Sequence, residues 1–148
     1  FPTTGGSAAF TRFIADEVMP YVEANYRTDG DRMLIGQSLG GLFAAEVLIK
    51  RPELFNRYLI VSPSIWWDDG SLLKQPATFI TDPAKAPKAV YIAVGKEGKR
   101  MEGDAKRLYA VVKKNPKVRS GFGFLPRHDH ANILHQAVLD GFRWLAGK

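Results

Sequence analysis

At 148 residues the chain is long enough for one domain with a real core, burying roughly 68–70% of its unfolded surface if complete. Its 45% hydrophobic and 24% charged residues are ordinary for a globular protein, and no apolar run is long enough for a membrane-spanning helix. Cysteine is absent, which excludes disulfides, thiolate catalysis and cysteine metal sites and leaves the compartment open. The net charge of +6 comes from scattered Lys and Arg, apart from a mild cluster at Lys96, Lys99, Arg100, Lys106 and Arg107. No nucleic-acid motif accompanies it, so the cluster reads as a solvated face or as an attractor of an anionic substrate.

The chain opens Phe1-Pro2-Thr3-Thr4-Gly5-Gly6, with neither an initiator Met nor a signal-peptide pattern, and reads like the middle of a protein. Gly5-Gly6 is a turn and Ser7 an expected helix N-cap. Phe10, Phe13, Ile14, Val18, Tyr21 and Val22 follow at helical spacing, an apolar stripe expected to cover a sheet, with Pro20 expected to kink or divide the helix.

After the polar turn at Asp29-Gly30, Met33-Leu34-Ile35 leads into Gly36-Gln37-Ser38-Leu39-Gly40, and a small-residue helix runs on to about Lys50. A bare Gly-x-Ser-x-Gly appears by chance in roughly 5% of chains this long, so the context decides its meaning. Strand, tight turn and helix are the context of a nucleophile elbow, in which Ser38 sits in strained backbone with its hydroxyl clear of the sheet. Gly36 and Gly40 are expected where strand and helix pass close together. The Leu39 amide, opening the helix, is placed to hold a developing negative charge.

Arg57–Val61 reads as a second strand, mostly apolar as befits burial on both faces. It runs into Ser62-Pro63-Ser64-Ile65-Trp66-Trp67-Asp68, where ligands lie in parallel sheets, so Trp66 and Trp67 are either core caps or pocket walls. Residues 71–88 read as a connection with one short helix near Leu72-Leu73. Ala89–Val94 is a third strand ending at Gly95, followed at once by Lys96-Glu97-Gly98, and Met101–Lys114 is helical. Val118–Leu125 is a fourth strand, weakened by Gly121 and Gly123. Arg127-His128-Asp129-His130 is a loop, and a last helix runs from Ile133 to Leu145. Strands alternate with helices four times, which predicts an α/β protein with a parallel sheet.

A serine hydroxyl needs a neighbouring base, and the only histidines, His128, His130 and His135, all follow the fourth strand. His135 falls inside the last helix and reads as structural or exposed. His128 and His130 are both candidates as the base. A His128-x-His130 metal site lacks clear third and fourth ligands, and no cofactor is called for. The acid that orients the imidazole is expected at Glu97, directly after the third strand. Asp104 is second choice, Asp129 is too close in sequence to the histidines for good geometry, and a Ser-His dyad without an acid remains open. The order Ser38, then Glu97, then the histidines, each after a strand, is that of the elbow-type hydrolases.

The segments Gly36–Ala44, Arg51–Phe55 and Ser62–Asp68, with Tyr91–Gly95, Met101, Asp104-Ala105 and Asp129-His130, resemble the Putative esterase family. This is the esterase D-like branch of the α/β-hydrolases that includes the siderophore (enterobactin, bacillibactin) esterases. The resemblance covers nearly the whole chain. It implies Ser38 as nucleophile and His130 rather than His128 as base, and a serine carboxylic-ester hydrolase acting through an acyl-enzyme on a small ester, siderophore esters included. It also implies that four strands of about eight are here, so that residues 1–148 form a carboxyl-terminal partial domain whose amino-terminal half is supplied by the same protein or a separate chain. That half would bring a second oxyanion-hole amide, whose loss typically costs ~10²–10³ in kcat. Two readings from other classes stand beside this one: a non-catalytic binding module of hydrolase fold, and an acyltransferase.

Overall fold

The computed structural model describes residues 5–147; Phe1–Thr4 of the unusual opening lie outside the described residues. Four strands, β1 (Met33–Gln37), β2 (Arg57–Val61), β3 (Ala89–Gly95) and β4 (Arg119–Leu125), form one parallel sheet in sequential order. The register pairs Gly36 with Ile60, Ile60 with Ile92 and Ile92 with Phe122. Parallel neighbours need crossovers, and α3 (Leu39–Lys50), the 3-10 turns around the short α4 (Thr78–Thr81), and α5 (Gly98–Val112) supply them. The last helix, α6 (Ile133–Leu145), returns over the opposite face.

Two cores result. On the α3 and α5 face, Ala44, Leu48, Tyr58, Ile60, Ile92 and Leu108 are buried together. On the α6 face, Leu59, Val61, Tyr91, Ala93, Ile133 and Ala137 form a smaller one. Gly121 and Gly123 do more than weaken β4. A Cβ on Gly121 would lie 2.6 Å from the Trp144 ring, and one on Gly123 would lie 2.4 Å from the Tyr91 hydroxyl. The glycines leave the room in which Tyr91 and Trp144 pack, 5.4 Å apart between ring centres.

The amino-terminal helical region departs from expectation. It runs through α1 (Ser7–Phe13), a π-helical segment at Ile14–Val18, and α2 (Met19–Asn25), with helical dihedrals at every junction. Gly6, not Ser7, is the N-cap, and no side chain caps the helix. Pro20 does not end the helical run but sits at the start of α2, directly after the π-helical segment that divides it from α1. The ring of a proline crowds the carbonyl four residues back, and the widened π turn just before it relieves that crowding. The apolar stripe does not cover the sheet. Phe10, Phe13, Tyr21 and Val22 are exposed, and the region leans on the core through Phe10 against Phe43 (5.1 Å) and through half-buried Ala15 and Met19.

Candidate active site

Every strand contributes a group at its carboxyl end: Ser38 after β1, Ser62 and Ser64 after β2, Glu97 after β3 and His130 after β4. A parallel sheet of this kind gathers groups far apart in sequence along one edge.

Ser38 has φ 59° and ψ −120°, outside the ordinary regions for a residue with a side chain and costing of order 1–3 kcal/mol. Hydrogen bonds hold it there. Its N–H donates to the Val61 carbonyl (3.1 Å), and its carbonyl accepts from Leu42 (2.9 Å) and Ser64 (3.1 Å). Gly36 is where strand and helix meet: a Cβ there would lie 2.2 Å from the Gly40 carbonyl oxygen. Gly40, expected to be equally constrained, has open space around its would-be Cβ. The second crowded glycine is Gly41, pressed against the Val61 carbonyl and Pro63. The Leu39 N–H is the first of α3, so it has no acceptor within the helix, and it stands one residue from the serine.

The His130 ring bridges the other two predicted residues. Nε2 lies 3.0 Å from Ser38 Oγ, and Nδ1 lies 2.6 Å from Glu97 Oε2. A carboxylate only accepts, so Nδ1 carries the proton and the Nε2 lone pair is left to accept from the serine hydroxyl. The Glu97 side chain is 3% exposed, whereas the histidine side chain is 46% exposed. The loop of His130 is tied to the elbow by Gln37, whose side-chain amide donates to the His130 carbonyl (2.7 Å). It is tied to β3 by Lys96 N–H, which donates to the His128 carbonyl (2.7 Å). Gly95 allows this approach, since a Cβ there would lie 2.5 Å from that carbonyl.

The remaining candidates lie elsewhere or do other work. His128 contributes through its backbone, and His135 is exposed on α6. Asp104 is buried on α5 and pairs with Arg107, not with a histidine. Asp129 closes the turn into α6, accepting the Ala131 N–H (2.9 Å). Among the described residues no group of three His, Asp or Glu side chains is placed to hold a metal ion.

A hollow of about 360 Å³ opens above the serine, lined by Ser38, Ser64, Trp66, Lys96, Glu97 and His130 among others. Trp66 is also a wall of a larger neighbouring hollow of about 610 Å³, which Trp67 lines too. The indoles are tilted at 50° with centres 5.9 Å apart. Beyond them the chain turns through left-handed Asp68, Asp69 and Gly70, with φ of 49°, 51° and 65°. Arg100 reaches this loop and donates to the Trp66 carbonyl (3.3 Å).

Ser62, Ser64 and Gln37 belong to the site although no catalytic motif marks them in the sequence. Ser62 and Ser64 are buried polar residues immediately after a buried strand, which is the one signal that marks them.

A parallel α/β layer with a serine on a strained strand-to-helix turn is the architecture of the α/β-hydrolase-like esterases. Comparisons with known proteins narrow this. The Esterase family profile, described as "Putative esterase", matches residues 2–131, and the chain belongs to that family. It is 32% identical to the ferri-bacillibactin esterase BesA of Bacillus subtilis, over 97% of this chain and 53% of the relative. The crystal structure of the BES protein from Bacillus cereus superposes with a TM-score of 0.88 at 32% identity, over 97% of this chain and 56% of that one. An IroE-like serine hydrolase from Shewanella oneidensis gives a TM-score of 0.81 at 26% identity, over 96% of this chain and 48% of that one. The chain thus spans about half the length of the relatives it matches.

Proposed function

We propose that this chain carries the nucleophile, base and acid of a serine carboxylic-ester hydrolase. The observation that supports it most is the unbroken line Ser38 Oγ, His130 Nε2, His130 Nδ1, Glu97 Oε2, with steps of 3.0 and 2.6 Å on either side of the ring. As Ser38 attacks an ester carbonyl, His130 accepts its proton and Glu97 stabilises the imidazolium. The Leu39 N–H donates to the tetrahedral oxyanion at the start of α3. His130 then protonates the departing alcohol, and water activated by the same imidazole releases the acyl group from Ser38.

The substrate class proposed is a siderophore-type ester. The names of the curated relatives point there. So do Lys96 and Trp66 in the wall of the hollow, a cation and an aromatic face suited to an anionic aromatic ester. We further propose that more of the fold pairs along β1. That strand is an edge, and Ile35 on it is 41% exposed although it shares the α6 face with buried Leu59. The pairing segment is also the expected source of a second oxyanion donor.

Ser38→Ala should abolish cleavage of a p-nitrophenyl ester and labelling by a fluorophosphonate while leaving the circular dichroism spectrum intact. Undiminished turnover by that variant would overturn the assignment.

A further inference from the structure

The Glu97 carboxylate uses its two oxygens differently. Oε2 faces His130, and Oε1 receives two donors: the Gly95 N–H at 2.9 Å and the Ser62 hydroxyl at 2.5 Å. We propose that Ser62 is a positioning residue, clamping Oε1 so that Oε2 is held on the imidazole. The proposal rests on the triad reading above and extends it by one residue.

Four observations support it. Ser62 is fully buried, so no solvent competes for its hydroxyl, and Glu97 Oε1 is the acceptor it has. Its backbone is committed to the direction this requires. The N–H continues the sheet ladder to the Ala93 carbonyl (2.8 Å), and then φ turns positive, to 44°. A serine in that conformation is strained, and strain is retained where the surroundings dictate it. Glu97 also needs a clamp more than an aspartate would. It lies only two residues beyond the end of β3 and has three rotatable side-chain bonds, so its head must fold back to reach the Gly95 amide. Finally, its main chain is pinned by Glu102, whose Oε1 accepts from the N–H groups of Glu97 (3.2 Å) and Gly98 (3.1 Å). With the backbone held and Oε1 double-donated, the remaining freedom of the carboxylate is small.

The placement gives the Ser-Pro-Ser segment a division of labour. Pro63 packs against Gly41 at the base of the elbow, and the serines on either side of it face different groups. Ser62 faces the acid, and Ser64, 2% exposed, lies with its hydroxyl 3.4 Å from that of Ser38.

The test is a double-mutant cycle on ester hydrolysis, with Ser62→Ala and Glu97→Gln made singly and together. A hydrogen bond to a charged group is at stake, so Ser62→Ala should lower kcat about tenfold with KM unchanged. In the Glu97→Gln background the same change should cost less than about twofold, because the group it positions is gone. The low-field proton resonance of the His130 Nδ1–H should broaden or move in Ser62→Ala. Ser62→Gly removes the hydroxyl while accepting the positive φ, and serves where the alanine variant folds poorly. Equal losses in both backgrounds, or a wild-type kcat in a folded Ser62→Ala or Ser62→Gly protein, would overturn the proposal. Those outcomes are separable from failure of the triad reading itself, which shows as turnover by Ser38→Ala or as an undiminished kcat in Glu97→Gln alone.

Discussion

At the scale of single residues, the serine motif is held by backbone contacts that its letters do not rank. Gly36 and Gly40 look equivalent in Gly-x-Ser-x-Gly, yet only Gly36 faces backbone at a distance no Cβ tolerates. The reason is that the strand residue points its missing side chain at the first turn of α3, whereas the helix residue points outward. Gly36→Ala should therefore destabilise the protein by about 3 kcal/mol or more, through overpacking against an immovable carbonyl. Gly40→Ala should be neutral or stabilising by up to about 0.5 kcal/mol, since it restrains the unfolded chain at a helical position. Urea midpoints of the two variants measure the difference, and equal destabilisation would contradict the geometry.

At the scale of elements, helices and strands with a buried face follow their sequence patterns, and those without one do not. β2, β3 and α6 begin and end where periodicity and apolar runs put them, because each buries its pattern against a neighbour. α5 starts three residues earlier than its apolar spacing suggests, at Gly98, because Glu102 caps its first amides. The amino-terminal helical stripe, apolar but exposed, shows the converse: amphipathic spacing makes a helix without guaranteeing what covers it. The buried face of β2 carries its own pH limit. Burial, with a smaller push from Glu53, raises the Tyr58 phenol far above its ordinary pKa, and its hydroxyl donates to the Pro52 carbonyl. Tyr91 is shifted in the same direction, chiefly by burial. A group whose folded pKa is raised keeps its full contribution below its unfolded pKa, near 10, and loses it above. Stability should thus fall from about pH 10 upward by about 1.4 kcal/mol per pH unit for Tyr58. Tyr58→Phe should flatten that fall, as read from denaturant midpoints at successive alkaline pH values.

At the scale of the whole molecule, helices cover both faces of the sheet unevenly, and β1 is the edge strand left least covered on the α6 face. α3 and α5 cover one face and α6 the other, but α6 lies over β2, β3 and β4, leaving Ile35 of β1 uncovered. Leu134, Leu139 and Phe142 of α6 are exposed as well. On the proposal that further chain pairs with β1, the 148-residue chain by itself should self-associate. Ile35→Lys should shift it toward monomer in sedimentation velocity, by placing a charge on the open edge. In a protein whose β1 edge is covered, the same substitution should instead cost at least about 2 kcal/mol of stability. A chain that is monomeric without the substitution would contradict the open-edge reading.

The sequence by itself determined the alternation of strands and helices, the parallel sheet, the elbow around Ser38 and the late position of every histidine. These are local or periodic features, written by apolar spacing and turn chemistry. Which histidine meets the serine, and which carboxylate meets that histidine, was a question of tertiary structure. His128 and His130 are two residues apart, and the folded loop, held by hydrogen bonds from Lys96 and Gln37 among others, turns the His130 ring to Ser38. Asp104 and Glu97 both follow β3, but α5 turns Asp104 into the core while the bend after β3 folds Glu97 back over the strand end. Ser62 joined the site only there as well, because its acceptor is 35 residues away along the chain and adjacent only once β2 and β3 pair.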